Sequence, residues 1–333
     1  MAEMGWPALT VPEAHGGLGL GIFELCLVLE AAGRRLATEP FLSTVLLATE
    51  AFKSAGGALA AQWLPRIASG QAIASVAWLD KGARHKRSQV RTGASETAGG
   101  NCFTLNGVKT QVPDGHIADV IIVPARTRGA ENDTDGITLF ALDPRTPGLH
   151  IERQWRIDGH GAAVLTLEDV QAPEATILGR LHGGWPALSH ALEVSTVGLC
   201  AESLGGANAA FETTVEYLKT RHQFGVPIGS FQALQHRAAR LFMELALARS
   251  ALLTAARTAD EDPSQLPAMA SLAKARIDGT YLHVVAEGVQ MHGGVGVTDE
   301  YDIGLFLKRA RATSVTFGDA AWHTQRWASL AGY

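Results

Sequence analysis

The chain has 333 residues, of which 47% are hydrophobic and 18% are charged, and its formal net charge at pH 7 is −5. This length allows a large core and more than one domain, and the mild acidity argues against a nucleic-acid partner. The sequence shows no export signal and no apolar run of the roughly 18 residues that a membrane helix needs. Cys26, Cys102 and Cys200 are widely spaced without a CxxC motif. This spacing argues against a disulfide framework and favours a reducing, cytoplasmic location.

Residues 1–70 are predicted to form an N-terminal helical domain. After a glycine-rich loop, apolar residues recur at helical spacing at Ile22, Leu25, Cys26, Leu29 and Leu36. The Glu39-Pro40 pair marks a break, since the residue before a proline disfavours helical geometry. Residues 43–55 and 58–68 then predict two further helices.

Residues 71–174 are predicted to form a middle β-domain of the sandwich or barrel kind. Short apolar runs rich in β-branched residues predict strands near 73–78, 103–109, 119–123, 136–142 and 163–167. Within the second run, Asn106-Gly107 is a hairpin turn signal. The polar, small residues of the segment Gly93–Gly100 predict a mobile loop.

Residues 185–333 return to a helical pattern. Long apolar periodicities predict helices over 199–218, 231–258, 268–290, 302–313 and 320–328. Long helices packed antiparallel form a four-helix bundle, which we expect for this C-terminal domain. The chain as a whole is therefore predicted to have an α+β fold with helical, β and helical domains in that order.

A short motif joins the first two long helical patterns of the C-terminal region. It reads Arg221-His222-Gln223-Phe224-Gly225 and is followed by Gly229-Ser230-Phe231-Gln232. An arginine on a turn beside a helix can hold a phosphate, and Phe224 can pack against a flat ring. The alternative interpretation is a plain helix connection with a solvated arginine.

A second motif follows the third long helix. Gln290 leads into Gly293, Gly294 and Gly296, and Glu300-Tyr301 lies just beyond. Glycines remove side chains from a turn, so that a bulky anion can approach the backbone N–H groups. A glycine-rich turn alone is weak evidence, but its pairing in order with the arginine motif is more specific.

This ordered pair of motifs resembles the acyl-CoA dehydrogenase family of flavoproteins, and the resemblance extends over nearly the whole chain. Near the start, Gly5-Trp6-Pro7 is similar to the early helix–loop segment of the family. The tail Phe317-Gly318-Asp319-Ala320 resembles small subunits of pimeloyl-CoA and steroid side-chain dehydrogenases. The resemblance implies an FAD cofactor, an acyl-CoA substrate from fatty acid or steroid catabolism, an electron-transfer flavoprotein as acceptor, and a tetramer.

The resemblance also implies a set of cofactor-binding residues. Arg221 would hold the FAD pyrophosphate, with Phe224 near the adenine and Gln232 in the same site. In this family the site is completed across a subunit interface, here by Gln290, Gly293 and Gly294. An oligomer, either of this chain or with a homologous dehydrogenase subunit, would then be required. The two glutamines could instead be ordinary polar residues of a helix surface.

The part of the family pattern that contacts the flavin ring is altered in this chain. A Thr-Glu-Pro-like turn is replaced by Leu79-Asp80-Lys81, and a Trp-Ile-Thr run is replaced by Gln111-Val112-Pro113. Pro113 has no N–H to donate and Leu79 has no hydroxyl. We therefore expect the isoalloxazine contacts of this chain to differ from those that the resemblance implies.

The catalytic base is also displaced from the family pattern. The usual glutamate position is occupied by Gly318, and the neighbouring Asp319 is the candidate base, with a helix N-cap as its alternative role. A second base position used in the family falls at Ser195, and the basic CoA contact beside it falls at Thr196. Two other carboxylates, Glu193 and Glu202, lie on the same helix but at rotated positions.

Three hypotheses follow from the sequence. The chain is an active dehydrogenase with Asp319 as base, or a shorter subunit whose homologous partner supplies the base and ring contacts, or a non-catalytic CoA-binding scaffold. The family normally carries at least one more helix before the Gly5-Trp6 segment, which we expect to be absent or replaced by cover from a partner. Small residues at Gly205 and Gly206 indicate either room for a bulky acyl group or close helix packing.

Overall fold

The computed structural model describes residues 1–333 and has the α+β architecture that the sequence predicts. The chain divides into two compact units. The β unit comprises Met1–Gly21 and Thr38–Ser195, and the helical unit comprises Ile22–Ala37 and Thr196–Tyr333. None of the helices is long and apolar enough to span a bilayer.

The elements follow the order of helices, strands and helices along the chain. The helices are α1 (Ile22–Arg34), α2 (Thr49–Ala55), α3 (Gly57–Ala68), α4 (Trp185–Thr220), α5 (Gln232–Glu261), α6 (Leu266–His292), α7 (Ile303–Thr313) and α8 (Ala320–Leu330). The strands are β1 (Ala74–Val76), β2 (Gly93–Glu96), β3 (Cys102–Pro113), β4 (Val120–Arg126), β5 (Ile137–Leu142), β6 (Leu149–Trp155), β7 (Gly161–Pro173), β8 (Ile177–Leu178), β9 (His222–Gln223) and β10 (Val226–Pro227).

The β unit is built around one eight-stranded sheet. Its strand order is β6-β7-β3-β2-β4-β5-β8, and β1 pairs with β4 in parallel. Strands β4 and β5 are buried along almost their whole length, as expected for continuous apolar runs in the middle of a sheet. Their side chains and those of β3 and β7 form the core of this unit, including Phe103, Phe140 and Leu165.

The predicted hairpin turn at Asn106-Gly107 is wrong, because β3 runs unbroken through both residues. The pairing of β3 with β7 shifts its register between Leu105 and Gly107, which marks a β-bulge. A Cβ on Gly107 would lie 2.4 Å from Oγ1 of Thr92. The glycine therefore serves a close approach within the sheet rather than a chain reversal.

The loop predicted over Gly93–Gly100 is wrong for its first half. Strand β2 occupies Gly93–Glu96 and pairs antiparallel with β3. Strand β6 was not predicted, because its exposed and half-buried positions are mostly charged or polar. It lies at the edge of the sheet, where charged side chains are common on strands.

The helical unit contains three long helices and three shorter ones. Helices α4 to α8 confirm the helices predicted for the C-terminal region. Helix α1 begins against the end of α5, since the N–H groups of Ile22 and Phe23 donate to the Asp260 carboxylate at 2.8 and 3.0 Å. A carboxylate at a helix N-terminus satisfies free N–H groups and complements the helix dipole.

The small residues of α4 serve close packing. A Cβ on Gly205 would lie 2.0 Å from the carbonyl oxygen of Glu30 in α1, and one on Gly206 would lie 2.3 Å from Oη of Tyr281 in α6. Neighbouring backbone and ring atoms thus occupy the space beside both glycines. The glycine pair is explained by helix contact and indicates no room for a bulky acyl group.

Candidate functional site

Arg221 lies where α4 gives way to the small β9–β10 hairpin. Its N–H donates to the carbonyl oxygen of Tyr217 at 2.9 Å, and its own carbonyl accepts from Ile228 N–H at 2.8 Å. These bonds fix the backbone, whereas the side chain is exposed and makes no ion pair in the chain. The guanidinium is therefore free to bind an anion such as a phosphate.

Phe224 stands at the tip of the same hairpin. Its side chain is 92% exposed, and its backbone adopts a left-handed conformation with φ of 53°. Its ring meets the ring of Phe231 edge-on, with centroids 6.1 Å apart. An exposed aromatic ring on a turn whose backbone is held by hydrogen bonds is suited to packing against a planar ligand.

The glycine turn begins where α6 ends at His292. Gly293 has φ of 67°, and a Cβ on either Gly293 or Gly294 would meet no other atom of the chain within 4 Å. Gly296 differs, because a Cβ there would lie 2.6 Å from the carbonyl oxygen of Val289. Internal packing thus explains why position 296 is a glycine but does not explain Gly294. The backbone at Gly294 is accessible to a ligand or a partner.

The two motifs lie at the same end of the helical unit. The ring of Tyr217 stacks on His292 with centroids 4.3 Å apart, and its hydroxyl donates to the His292 carbonyl at 3.3 Å. Nδ1 of His292 also bonds the Gly288 carbonyl at 2.7 Å, so this buried histidine is structural. The sequence analysis did not identify this contact, although Tyr217 and His292 each border one of the motifs.

These residues fit the dinucleotide end of FAD. The predicted glutamines, Gln232 and Gln290, are both exposed and their side-chain amides make no hydrogen bond in the chain. A free guanidinium, an exposed aromatic ring, two unpaired amides and an accessible glycine backbone are the groups that recognise pyrophosphate and adenine. The assignment of each residue to a part of FAD stays a prediction.

The segments predicted to contact the flavin ring have a different character. Nζ of Lys109 and the Asp80 carboxylate form an ion pair of 2.6 Å, and both side chains are almost fully buried. The same carboxylate accepts the N–H of Thr92 at 3.0 Å. Burial lowers the pKa of Lys109, and the Asp80 charge opposes that shift. Both charges are thus engaged inside the β unit.

Other polar groups at this end are also engaged. The carbonyl of Pro113 accepts the Ser75 hydroxyl at 2.5 Å, and the Asp114 carboxylate accepts the Ser43 hydroxyl at 2.6 Å. Burial raises the pKa of Asp114. Pro113 has no N–H to donate, and the side chains of Asp80, Lys109 and Asp114 are already paired, so none of these four residues is available as a donor to the flavin ring. These four residues do not fit that part of the cofactor.

Gly318 lies in a turn that has no space for a side chain. Its φ is 117°, and a Cβ would lie 2.6 Å from the Trp322 ring and 2.9 Å from Nε2 of His323. Both the backbone conformation and the neighbouring rings therefore require glycine. The position at which the family resemblance implies a glutamate is closed in this chain.

Asp319 caps the last helix. Its carboxylate accepts the N–H of Trp322 at 2.8 Å, which is the N-cap arrangement for α8. The residue is half-buried, and its charge contributes to raising the pKa of Asp278. The structure thus shows Asp319 as a helix N-cap, and its role as a catalytic base stays a prediction.

A buried lysine holds the loop that precedes α8. Nζ of Lys274 donates to the carbonyls of Thr313 at 3.0 Å and Gly318 at 3.2 Å, and it pairs with the Asp278 carboxylate. Burial raises the pKa of Asp278 to about 6, against the opposing effect of Lys274. The sequence analysis did not predict this pair. The signal for it is a lysine and an aspartate four residues apart in an apolar helix, a spacing that places the two side chains on the same face.

The remaining carboxylate candidates are engaged in buried ion pairs. Glu193 pairs with Arg87 at 2.9 Å, and Glu202 pairs with Arg309 at 2.6 Å. Breaking such a pair leaves an uncompensated buried charge, which makes either glutamate a poor free base. Ser195 and Thr196 are fully buried and carry neither a carboxylate nor a cation.

Models of all three acyl-CoA dehydrogenase domains match the chain. The N-terminal domain model matches residues 1–71, the middle domain model matches 77–170, and the C-terminal domain model matches 182–329. The three matches cover the predicted helical, β and helical regions in order.

Individual relatives agree with these matches. Acryloyl-CoA reductase (NADH) from Anaerotignum propionicum is 27% identical, over 97% of this chain and 83% of the relative. The solved Tcur3481–Tcur3483 steroid ACAD is 33% identical, with a TM-score of 0.88 over 99% of this chain and 86% of that one. The ChsE4–ChsE5 complex from Mycobacterium tuberculosis is 28% identical, with a TM-score of 0.88 over 100% of this chain and 86% of that one. The chain therefore belongs to the acyl-CoA dehydrogenase family, whose members are FAD-dependent oxidoreductases that act on CH–CH bonds.

Proposed function

We propose that this chain is a subunit of an FAD-dependent acyl-CoA dehydrogenase, in which a homologous chain supplies the catalytic base and the flavin-ring contacts. The observation that carries this proposal is the closed position at Gly318, where Trp322 and His323 fill the space of a side chain. Two similar solved structures, the Tcur3481–Tcur3483 steroid ACAD and the ChsE4–ChsE5 complex, are named as pairs of chains.

The contribution of this chain would be to bind and orient the dinucleotide. Arg221 would neutralise the pyrophosphate and Phe224 would pack against the adenine of one FAD, whereas the Gly293-Gly294 backbone would complete, across the subunit interface, the site of a neighbouring subunit's FAD. Bound FAD would supply the hydride acceptor for the β-hydrogen of the acyl thioester, and the base of the homologous chain would remove the α-proton. An electron-transfer flavoprotein is the proposed acceptor of the reducing equivalents.

The proposal is tested by the flavin content of the purified protein. We expect the chain expressed alone to bind little flavin, and the chain co-expressed with a homologous dehydrogenase of the same genome to give a yellow complex. In that complex acyl-CoA thioesters should bleach the flavin absorbance. A yellow oligomer of this chain alone that is bleached by acyl-CoA would contradict the need for a partner.

A second candidate function is that of an active dehydrogenase built from this chain alone, in which Asp319 is the catalytic base. The observation that favours it is the half-buried carboxylate next to Gly318. The Asp319→Asn variant separates the two candidates, because asparagine retains an acceptor for the Trp322 N–H and caps a helix nearly as well. Unchanged bleaching in this variant would assign the base to the partner, whereas loss of bleaching in a stably folded variant would assign it to Asp319.

A further inference from the structure

The segment that follows β1 carries the densest run of positive charge in the chain. We call residues 81–91 the basic loop, and its cations are Lys81, Arg84, Lys86, Arg87 and Arg91. The chain as a whole has a net charge of −5. A strongly basic segment in an acidic protein is a local feature that attracts anions.

The basic loop is held at several points. Arg87 forms its buried ion pair with Glu193, and Nε of Arg91 pairs with Glu131 at 2.9 Å. At the start of the loop, Lys81 N–H donates to the Val108 carbonyl at 3.0 Å. Successive turns follow, with the N–H of Lys86 donating to the Ala83 carbonyl at 3.1 Å. These contacts fix the backbone before any ligand binds.

Three of its cations have no counterion. Lys81, Arg84 and Lys86 are exposed and make no ion pair in the chain. The Lys86 charge contributes least to lowering the pKa of Glu131, which is lowered first by hydrogen bonds from Gln89 and Arg91. The loop therefore presents three uncompensated positive charges on a fixed backbone.

We propose that the basic loop binds the phosphate groups of the CoA thioester, a role that rests on the proposed function. A phosphate monoester such as the 3′-phosphate of CoA carries about −1.5 to −2 charges at neutral pH, and a pyrophosphate adds more. Two lysines and an arginine match such a group of phosphates in charge and in hydrogen-bond donors. The family's usual basic CoA contact falls in this chain at Thr196, which is fully buried and uncharged.

The experiment compares CoA with dephospho-CoA, which lacks only the 3′-phosphate. Binding of both is measured by calorimetry at low and high salt, on the full chain with its homologous partner. The test variant combines Lys81→Ala, Arg84→Ala and Lys86→Ala. The control variant combines Arg35→Ala, Arg180→Ala and Arg311→Ala, which removes the same charge from three other exposed, unpaired arginines.

We expect the unmodified complex to bind CoA more tightly than dephospho-CoA, with a preference that declines as salt is added. The test variant should lose about tenfold in CoA affinity and most of that preference, since each exposed charge contact contributes modestly. The control variant should retain both. Flavin content is measured in parallel, because the FAD pyrophosphate is the other source of nucleotide phosphate.

Two results would overturn the proposal. If the test variant retains the preference for CoA over dephospho-CoA, the basic loop does not bind the 3′-phosphate. If it loses flavin while the preference is unchanged, the phosphates it binds belong to FAD. Both results are distinct from failure of the proposed function, which would appear as an absence of flavin bleaching by acyl-CoA in the unmodified complex.

Discussion

Two regions that the family resemblance assigns to the cofactor have opposite characters. At the end of the helical unit, Arg221 and Phe224 are exposed, the Arg221 guanidinium makes no ion pair in the chain, and the Phe224 ring meets only the edge of the exposed Phe231 ring. In the β unit, Asp80 and Lys109 are buried and paired with each other, and the buried Asp114 carboxylate accepts the Ser43 hydroxyl. Unpaired polar groups at a surface are available to a ligand, whereas buried paired groups stabilise the fold that contains them. The dinucleotide end is therefore suited to binding, and the flavin-ring end has become structural.

The largest effect is expected from breaking the buried pair at the flavin-ring end. Asp80→Ala leaves the Lys109 ammonium buried without a counterion, and we expect the free energy of unfolding to fall by about 3–5 kcal/mol. Urea denaturation measures this loss. The double variant Asp80→Leu with Lys109→Met is the control and should recover much of it. A single variant with unchanged stability would show that the pair is not structural.

A somewhat smaller loss is expected at the closed base position. Gly318→Glu places a side chain against Trp322 and His323 on a backbone with positive φ, which should cost about 2–4 kcal/mol. The variant should gain no dehydrogenase activity. Thermal unfolding and an acyl-CoA bleaching assay measure the two effects. Activity gained by a stable Gly318→Glu protein would show that the turn can open to admit a base.

The dinucleotide end is expected to respond in binding rather than in stability. Arg221→Ala should weaken FAD binding by about tenfold to a hundredfold, the range for losing one charge-assisted bond to phosphate. Unfolding of the flavin-free protein should be unchanged because the exposed side chain makes no hydrogen bond or ion pair in the chain. The control is Arg240→Ala, which removes another exposed arginine without an ion pair. Flavin titration followed by fluorescence measures the difference, and equal affinities in the two variants would remove Arg221 from the site.

The smallest effect concerns the pH dependence of stability at the flavin-ring end. Burial raises the pKa of Asp114, although Ser43, His160, His116 and Arg156 act in the opposite direction. A raised pKa means that the folded protein holds the proton more tightly than the unfolded chain. The stability from Asp114 is thus fully present below its unfolded pKa and is lost as the pH rises through the folded value.

Asp114→Asn should remove this contribution. We expect its unfolding free energy to change less than that of the unmodified protein between pH 4 and the neutral range. Denaturant titrations at a series of pH values measure the difference. Asparagine retains an acceptor for the Ser43 hydroxyl, so the hydrogen bond at this position is preserved. Identical pH profiles would indicate that Asp114 titrates alike in the folded and unfolded states.

The sequence alone determined the helices and the motifs that interrupt them. Helices α4, α5 and α6 carry long apolar periodicities, so local pattern and tertiary packing agree. Arg221 and Gly293 were identified because an arginine and a group of glycines in the turns that follow long helices indicate a site for an anion. Short strands were less predictable, since β2 and β6 have weak apolar alternation and depend on pairing with distant neighbours.

Only the tertiary structure decided which candidate groups are free and which are engaged. Asn106-Gly107 is a turn signal in sequence, but the approach of Thr92 makes it a bulge within a strand. The sequence shows only that a glycine occupies the position of the family's glutamate. The structure shows that the rings of Trp322 and His323 leave no space for a side chain at Gly318. Residue type determines what chemistry a position can perform, whereas neighbours brought together from distant parts of the chain decide whether space and an unpaired atom remain to perform it.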